Sequence, residues 1–519
     1  MSEISNYKYA RCLAFLLIIL CFAPAVEAQE KTERKPNIFK RLIRKVDGKK
    51  DAVPKPVAVE EKKDEVPQTV AVEKKIGRLP VIIIPGLIGS ELVNKNTGEK
   101  VWFDLIRSGD DNLRLPISPN IAANRDNLVP GDILRRIQLV RLTPQIEIYQ
   151  KLVESLEADG YTEGKIDAPV ENGSADTFYV FPYDWRLDNV GNARILLEKL
   201  DELRTKLKRP DLKFNVVAHS MGGLIARYAA MYGKADLTAR NVRPTWKGAS
   251  YFNNISLVAT PNGGSLSALN SLLSGFSLFG GGKINLPFIQ NLSKYDLFTI
   301  PSIYQLLPHA DMVRAFDEDL KPIKIDIYNQ ATWEKYGWAA YGDEDFSKKS
   351  EDATQEQAKA YLKAVLLRAK MFQAALNARP TRRNPIPIYY FGSECKPTID
   401  GMILYKSPKD NAWKTEFEAD SFTKRDGTKV SKEELETVLY SPGDGVVPKR
   451  SLISSLLNIG KFRNARSGTL EDLTVACSEH NRLTGDVIIS KSLLSVLNFS
   501  ISEITDKNVK SETSKKPAN

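Results

Sequence analysis

Six short apolar runs set the frame for this chain. PVIIIPG (80–86), TFYVFP (177–182), KFNVVAH (213–219), NISLVAT (254–260), IPIYYFG (386–392) and DLTVAC (472–477) are rich in β-branched or aromatic residues and are bounded by turn formers. Runs of this length read as strands buried on both faces. Between several of them apolar residues recur at helical spacing, over 145–158, 190–208, 221–232 and, near the end, 485–498. Strands alternating with helices predict an α/β architecture, a mostly parallel, doubly wound sheet covered by helices on both sides. In such sheets ligands bind beyond the carboxyl ends of the strands, so chemistry is expected in the residues that follow each run.

Two stretches interrupt the alternation. Residues 92–144 are loop-rich, with Trp102 and many Pro, Asn and Asp. Residues 263–385 begin apolar and glycine-rich (SLLSGFSLFGGGKINLPF) and end in a charged helix around 351–378. Both read as insertions over the strand ends, within a globular part assigned to 79–505, with 506–519 a disordered tail. Ahead of it, Lys8 and Arg11, the apolar run 12–23, Pro24 and the small residues Val26 and Ala28 read as an export signal over 1–28. The run is shorter than the roughly 20 residues a spanning helix needs, and a retained anchor is the alternative to cleavage. Residues 29–78 read as a disordered, charged linker. Within it Ile38, Phe39, Leu42, Ile43 and Val46 share one helical face opposite basic residues, a short segment suited to an anionic membrane, although plain linker is the better reading. This linker holds 15 Lys/Arg against 9 Asp/Glu, so most of the formal charge of +10 lies outside the folded part. Nucleic acid is therefore not an expected partner. The expected location is exported: secreted, periplasmic or in the secretory lumen, with membrane association left open. Removal of the signal would leave Cys395 and Cys477, either paired in an oxidising compartment or two buried thiols.

The third apolar run leads into Ala218-His219-Ser220-Met221-Gly222-Gly223, and a helical pattern follows from Leu224. Strand, serine turn and helix in this order match the nucleophile elbow of α/β-hydrolases, G-x-S-x-G. Small residues flank the serine there because its backbone is strained and strand and helix pack close. Ala218 stands in for the first glycine and Gly222 keeps the second. Ser220 is thus a candidate nucleophile, against the plainer reading of a polar residue in a turn. The Met221 N–H, at a helix start, would face a developing oxyanion. The Leu87 N–H, in the glycine-rich turn after the first strand, is the candidate second donor. A serine needs a base, and the chain has only His219, His309 and His480. The elbow turns His219 away from the hydroxyl, and His309 lies in the second insertion. His480 follows the last strand, where the Ser–acid–His chain order expects it. For the acid, Asp444 (SPGDGVVP) and Asp400 (CKPTIDG) both sit in turns, and spacing does not separate them. Nothing in the pattern asks for a metal or a cofactor.

Several motifs taken together resemble the lecithin:cholesterol acyltransferase family of α/β-hydrolases: PVIIIPGLIGSEL, KVWFDL, FPYDWR (181–186), AHSMGG, TPNGGS (260–265), PSIYQLLP (301–308) and GDGVVP (443–448), in that order. The resemblance implies an α/β-hydrolase core with cap and lid insertions, 92–144 as a lid or membrane-contact element and 263–385 as a cap. It assigns the acid to Asp444, leaves Asp400 structural, and supports Leu87 and Met221 as the oxyanion pair. It also implies a serine-dependent lipid acyltransferase or phospholipase, working through an acyl-enzyme on glycerophospholipid-type esters at a membrane or micelle surface. Trp102, Phe103, Phe276, Phe279 and Phe288 are then expected to line an acyl groove or touch lipid, with ordinary cap core as the alternative. Between Cys21 and Cys395 there is no cysteine, so the lid disulfide of plasma-type members is absent. A soluble carboxylesterase and an inactive hydrolase fold used for binding are the rival readings, and the acyl acceptor is not legible.

Overall fold

All six apolar runs are strands of one sheet in the computed structural model of the protein, which describes residues 77–103, 113–137, 146–170, 173–238, 243–276, 292–342, 346, 354–382, 384–454 and 473–498. The expected export signal, the amphipathic segment, nearly all of the linker and the tail lie outside these residues. The strands are β1 (Val81–Ile84), β2 (Thr162–Gly164), β3 (Thr177–Val180), β4 (Phe214–His219), β5 (Phe252–Val258), β6 (Ile388–Ser393) and β7 (Leu473–Ala476). Their order across the sheet is β7-β6-β5-β4-β1-β3-β2, and every pairing is parallel. This is the doubly wound α/β-hydrolase core. Only β2, the three-residue edge strand TEG, had no apolar run to announce it.

Alternation along β1 divides the core. Val81 and Ile83 face one side, packed with Leu152, Val153 and Leu156 of helix α1 (Gln150–Ala158). Ile82 and Ile84 face the other, packed with Leu196, Leu200 and Leu203 of α2 (Asn189–Lys206) and with α3 (Met221–Tyr232). A charged helix, α4 (Gln355–Leu376), closes the second insertion. The last helix, α5 (487–498), buries Ile489, Leu493 and Leu497 beside α1. Burial of each such side chain stabilises the fold by about 1.5–3 kcal/mol, so packing rather than helix propensity holds these helices.

The first interruption is not simply loop. Ser90–Asn94 pairs antiparallel with both Lys100–Trp102 and Leu128–Ile133. Arg186 of FPYDWR is fully buried and joins this sheet to the core, since its guanidinium binds Asp184 within the motif and Asp126 in the insertion. In the second interruption Ala315–Phe316 runs parallel to Met402–Lys406, which lies beyond β6 and pairs in turn with Trp413–Glu416. That small sheet therefore draws on residues from both sides of β6.

Candidate active site

Ser220 joins β4 to α3 with φ 52° and ψ −123°, a left-handed conformation that costs a non-glycine residue about 1–3 kcal/mol. The surroundings hold it there. Ser220 N donates to Val258 O at 2.8 Å, and Gly223 N donates to Ser220 O at 3.0 Å. The two flanking positions differ in what they tolerate. A Cβ on Gly222 would lie 2.4 Å from Pro85 O and 2.7 Å from Ile84 O, so no side chain fits. Ala218 is still inside β4, opposite Ile84 and Leu257, and its methyl joins the buried apolar layer.

His480 follows β7 and reaches back over the elbow. Its Nε2 lies 2.9 Å from Ser220 Oγ and its Nδ1 2.8 Å from Asp444 Oδ2. The other Asp444 oxygen, Oδ1, accepts from Val446 N at 2.9 Å and Val447 N at 2.7 Å. An ionised carboxylate can only accept, so Nδ1 carries the imidazole proton and Nε2 offers its lone pair to the serine hydroxyl. The turn bearing Asp444 is itself anchored: Ser265 Oγ donates to Val446 O at 2.7 Å, and His480 N donates to Asp444 O at 3.0 Å. A disulfide joins Cys395, after β6, to Cys477, three residues before His480. Asp400 faces away from this group of residues. It is buried, and it binds Arg314 at 3.1 Å and Arg450 at 2.5 Å. His309 caps the short turn at Ala310–Met312.

His219 is bonded to other groups than Ser220 Oγ, although its ring lies 5.0 Å from the His480 ring and it lines the same cleft. Its Nδ1 meets Tyr149 Oη at 2.9 Å and its Nε2 meets His480 O at 3.1 Å. Burial, with the His480 ring second, pushes the His219 imidazole down to about 3 from an ordinary 6.5. The unfolded chain therefore binds more protons than the fold between pH 6.5 and pH 3, and stability should fall as pH drops through that window. The slope from this one group is at most about 1.4 kcal/mol per pH unit. Urea unfolding of parent and His219→Gln across the window checks this. The variant should show the shallower decline, and equal slopes would refute it.

The turn from Pro85 to Ser90 is held from behind by four aromatic side chains. Tyr183 Oη donates to Pro85 O at 2.9 Å, Trp102 Nε1 to Ile88 O at 2.9 Å and Trp185 Nε1 to Ser90 O at 3.2 Å, while Tyr149 Oη accepts from Gly86 N at 2.8 Å. Leu87, at the crest of the turn, lines the cleft above Ser220. Met221 is the first residue of α3, so its N–H has no acceptor within the helix. Trp102 is not the lipid contact expected of it. It is fully buried, packs edge-on against Trp185, and supports the turn. Phe103 packs edge-on against Trp102, and neither ring is in the cleft wall. Phe276 does line the cleft, whereas Phe279 and Phe288 fall outside the described residues. Tyr149, Tyr183 and Trp185 were not singled out as site residues. FPYDWR was visible as a string, but nothing local to it tells that its rings brace a turn roughly a hundred positions upstream.

The cleft over Ser220 and His480 encloses about 1820 Å³. Its lining includes the apolar side chains of Ile137, Ile148, Phe276, Leu292 and Ile303 and the charged ones of Glu394, Lys396, Glu436 and Arg482. Three of these, Glu394, Glu436 and Arg482, are exposed. Among the described residues no group of three or more His, Cys, Asp or Glu is placed to hold a metal ion, and no helix is long and apolar enough to cross a membrane.

Comparison with known proteins agrees with this architecture. The model of the family described as "Lecithin:cholesterol acyltransferase" matches residues 136–455. Two relatives from Arabidopsis thaliana are similar to this chain. "Lecithin-cholesterol acyltransferase-like 4" is 27% identical over 256 residues, 44% of this chain and 42% of its own length. "Phospholipase A(1) LCAT3" is 26% identical over 261 residues, 45% of this chain and 53% of its own. The chain thus spans about half the length of the curated relatives it matches. Among solved structures, "The crystal structure of Tle4-Tli4 complex" aligns with a TM-score of 0.52 at 14% identity, covering 81% of this chain and 98% of that one, a likeness of fold.

Proposed function

Since this chain belongs to the lecithin:cholesterol acyltransferase family, we propose that it is a serine-dependent lipid acyltransferase or phospholipase, acting through an acyl-enzyme on glycerophospholipid-type esters. The observation that carries this reading is the line Ser220 Oγ–His480 Nε2–His480 Nδ1–Asp444 Oδ2, with steps of 2.9 and 2.8 Å, at the base of a half-apolar cleft.

In this reading Ser220 Oγ attacks the ester carbonyl as its proton passes to His480 Nε2, and Asp444 stabilises the imidazolium through Nδ1–H. The Leu87 and Met221 amides receive the oxyanion. Collapse breaks the ester C–O bond, His480 returns the proton to the leaving alcohol, and the acyl group stays on Ser220. Water or an acceptor alcohol then gives its proton to His480 and attacks the acyl carbon. As the acyl–Oγ bond breaks, His480 returns the proton to Ser220 Oγ. The apolar lining residues such as Phe276 suit an acyl chain, and the charged lining residues suit a headgroup. The protein works at a lipid surface and is exported. The Cys395–Cys477 bond supports an oxidising compartment.

The test is fluorophosphonate labelling of parent and Ser220→Ala, followed by incubation with acyl-labelled phospholipid with and without sterol or diacylglycerol. Labelling of the parent alone, with label released to fatty acid or to the added alcohol, is the expected result. Equal labelling of the two refutes the serine mechanism. Turnover of short esters with no attack on phospholipid would make the protein a carboxylesterase instead.

A further inference from the structure

We propose that Tyr149 and His219 are positioning residues, which tie the turn bearing Leu87 to the backbone of His480 through one directed chain of hydrogen bonds. This rests on Ser220, His480 and Asp444 being the catalytic group. The direction of every bond follows from chemistry. The His480 carbonyl can only accept, so His219 Nε2 is the donor across 3.1 Å. A neutral imidazole protonated at Nε2 has a bare Nδ1, so Tyr149 O–H must donate to it across 2.9 Å. The phenol oxygen is then left to accept Gly86 N–H at 2.8 Å. No donor is spent twice and no acceptor is left idle, which is what locks such a network into one arrangement.

The two ends of the chain matter for catalysis. Gly86 immediately precedes Leu87, the proposed oxyanion donor. His480 carries the base. The turn also presses directly on the elbow, since a Cβ on Gly86 would lie 2.9 Å from Ser220 Cβ and 3.2 Å from His219 Nδ1. The low pKa of His219 keeps its Nδ1 bare at neutral pH, so the chain stays intact there. Cutting it would let the oxyanion donor and the base drift relative to one another. Both groups act chiefly in the transition state, so the loss should appear in kcat rather than in KM.

Three variants divide the chain. Tyr149→Phe removes both of the phenol's bonds. His219→Asn keeps an acceptor near the Nδ1 position and loses the donor to His480 O. His219→Gln places an amide N–H near the Nε2 position, keeping that donor, and loses the acceptor for Tyr149 O–H. Each is assayed on p-nitrophenyl butyrate, with enzyme concentration taken as fluorophosphonate-titratable sites, so misfolded protein does not count. Tyr149→Phe, His219→Asn and His219→Gln each cut the chain and should each lower kcat by about 10- to 100-fold with little change in KM. Parental kcat per titrated site in Tyr149→Phe or in both His219 variants, or a change confined to KM, would overturn the proposal. Ser220→Ala separates the two levels. If it still hydrolyses the ester, the catalytic assignment itself fails. If it is inert while Tyr149→Phe is fully active, only the positioning role fails.

Discussion

Asp444→Asn should lower kcat by about ten-thousand-fold while leaving the fold intact. The reason lies in what the two carboxylate oxygens do. Oδ1 accepts from the amides of Val446 and Val447. An asparagine at 444 keeps those bonds only if its carbonyl oxygen takes the Oδ1 position. Its NH₂ group then takes the place of Oδ2, facing His480 Nδ1, and must donate where the carboxylate accepted. That forces the imidazole into the other tautomer, with the proton on Nε2, the nitrogen that should take the Ser220 proton. The variant should therefore melt close to the parent, label slowly with fluorophosphonate, and lose kcat with little change in KM. Asp400→Asn is the matched comparison. It weakens the ion pairs with Arg314 and Arg450, so it should lower the melting temperature and leave kcat per titrated site near the parent value. Parental kcat in Asp444→Asn, or a greater loss in Asp400→Asn, would move the acid from one turn to the other.

The same two aspartates show where sequence reading runs out. Both lie in glycine-adjacent turns, and turn chemistry is local. What separates them is not local: Asp400 is claimed by Arg314 and Arg450, 86 and 50 positions away, and Asp444 by His480, 36 positions away. By contrast, five of the six core strands could be read because nearly all their residues are buried, which leaves an apolar run in the sequence. The sixth, Leu473–Ala476, keeps such a run although it lies at the sheet edge and is only partly buried. The three-residue edge strand Thr162–Gly164 leaves no such run. The elbow could be read because its strand, serine and helix are consecutive.

Aromatic residues in the insertions were harder. Trp102 has two readings in the sequence, acyl-groove or lipid contact and ordinary cap core, and composition does not choose between them. Its N–H finds Ile88 O and its ring finds Trp185, so it is core after all. Tyr149 falls in the helical pattern over 145–158, but nothing in that pattern marks a site residue. It precedes a short amphipathic helix, and only the fold brings its hydroxyl to Gly86 and His219, 63 and 70 positions away. Residues that prepare a site rather than react in it have no motif of their own unless a family string, such as FPYDWR, happens to contain them.

Gly222→Ala should impair catalysis far more than it impairs folding, and Ala218→Gly should do the reverse. The added Cβ would stand 2.4 Å from Pro85 O and 2.7 Å from Ile84 O. Both are backbone atoms, and no rotamer moves them. The end of β1 must shift, carrying with it the turn on which Leu87 sits. Overpacking of this kind costs about 1–3 kcal/mol, but replacing a helical glycine by alanine returns up to about 1 kcal/mol, so the net loss of stability understates the strain. Displacing one oxyanion donor costs about 10²–10³ in kcat, and that larger figure is the one expected. At 218 the balance differs. The methyl contributes to the buried layer and touches nothing catalytic, so its removal should cost about 1–2 kcal/mol from lost burial and added chain freedom, with kcat unchanged. Melting temperature and kcat per titrated site, measured on both variants, separate the two effects. Parental kcat in Gly222→Ala would mean that the turn after β1 does not supply the donor, and Leu87 would lose its place in the mechanism.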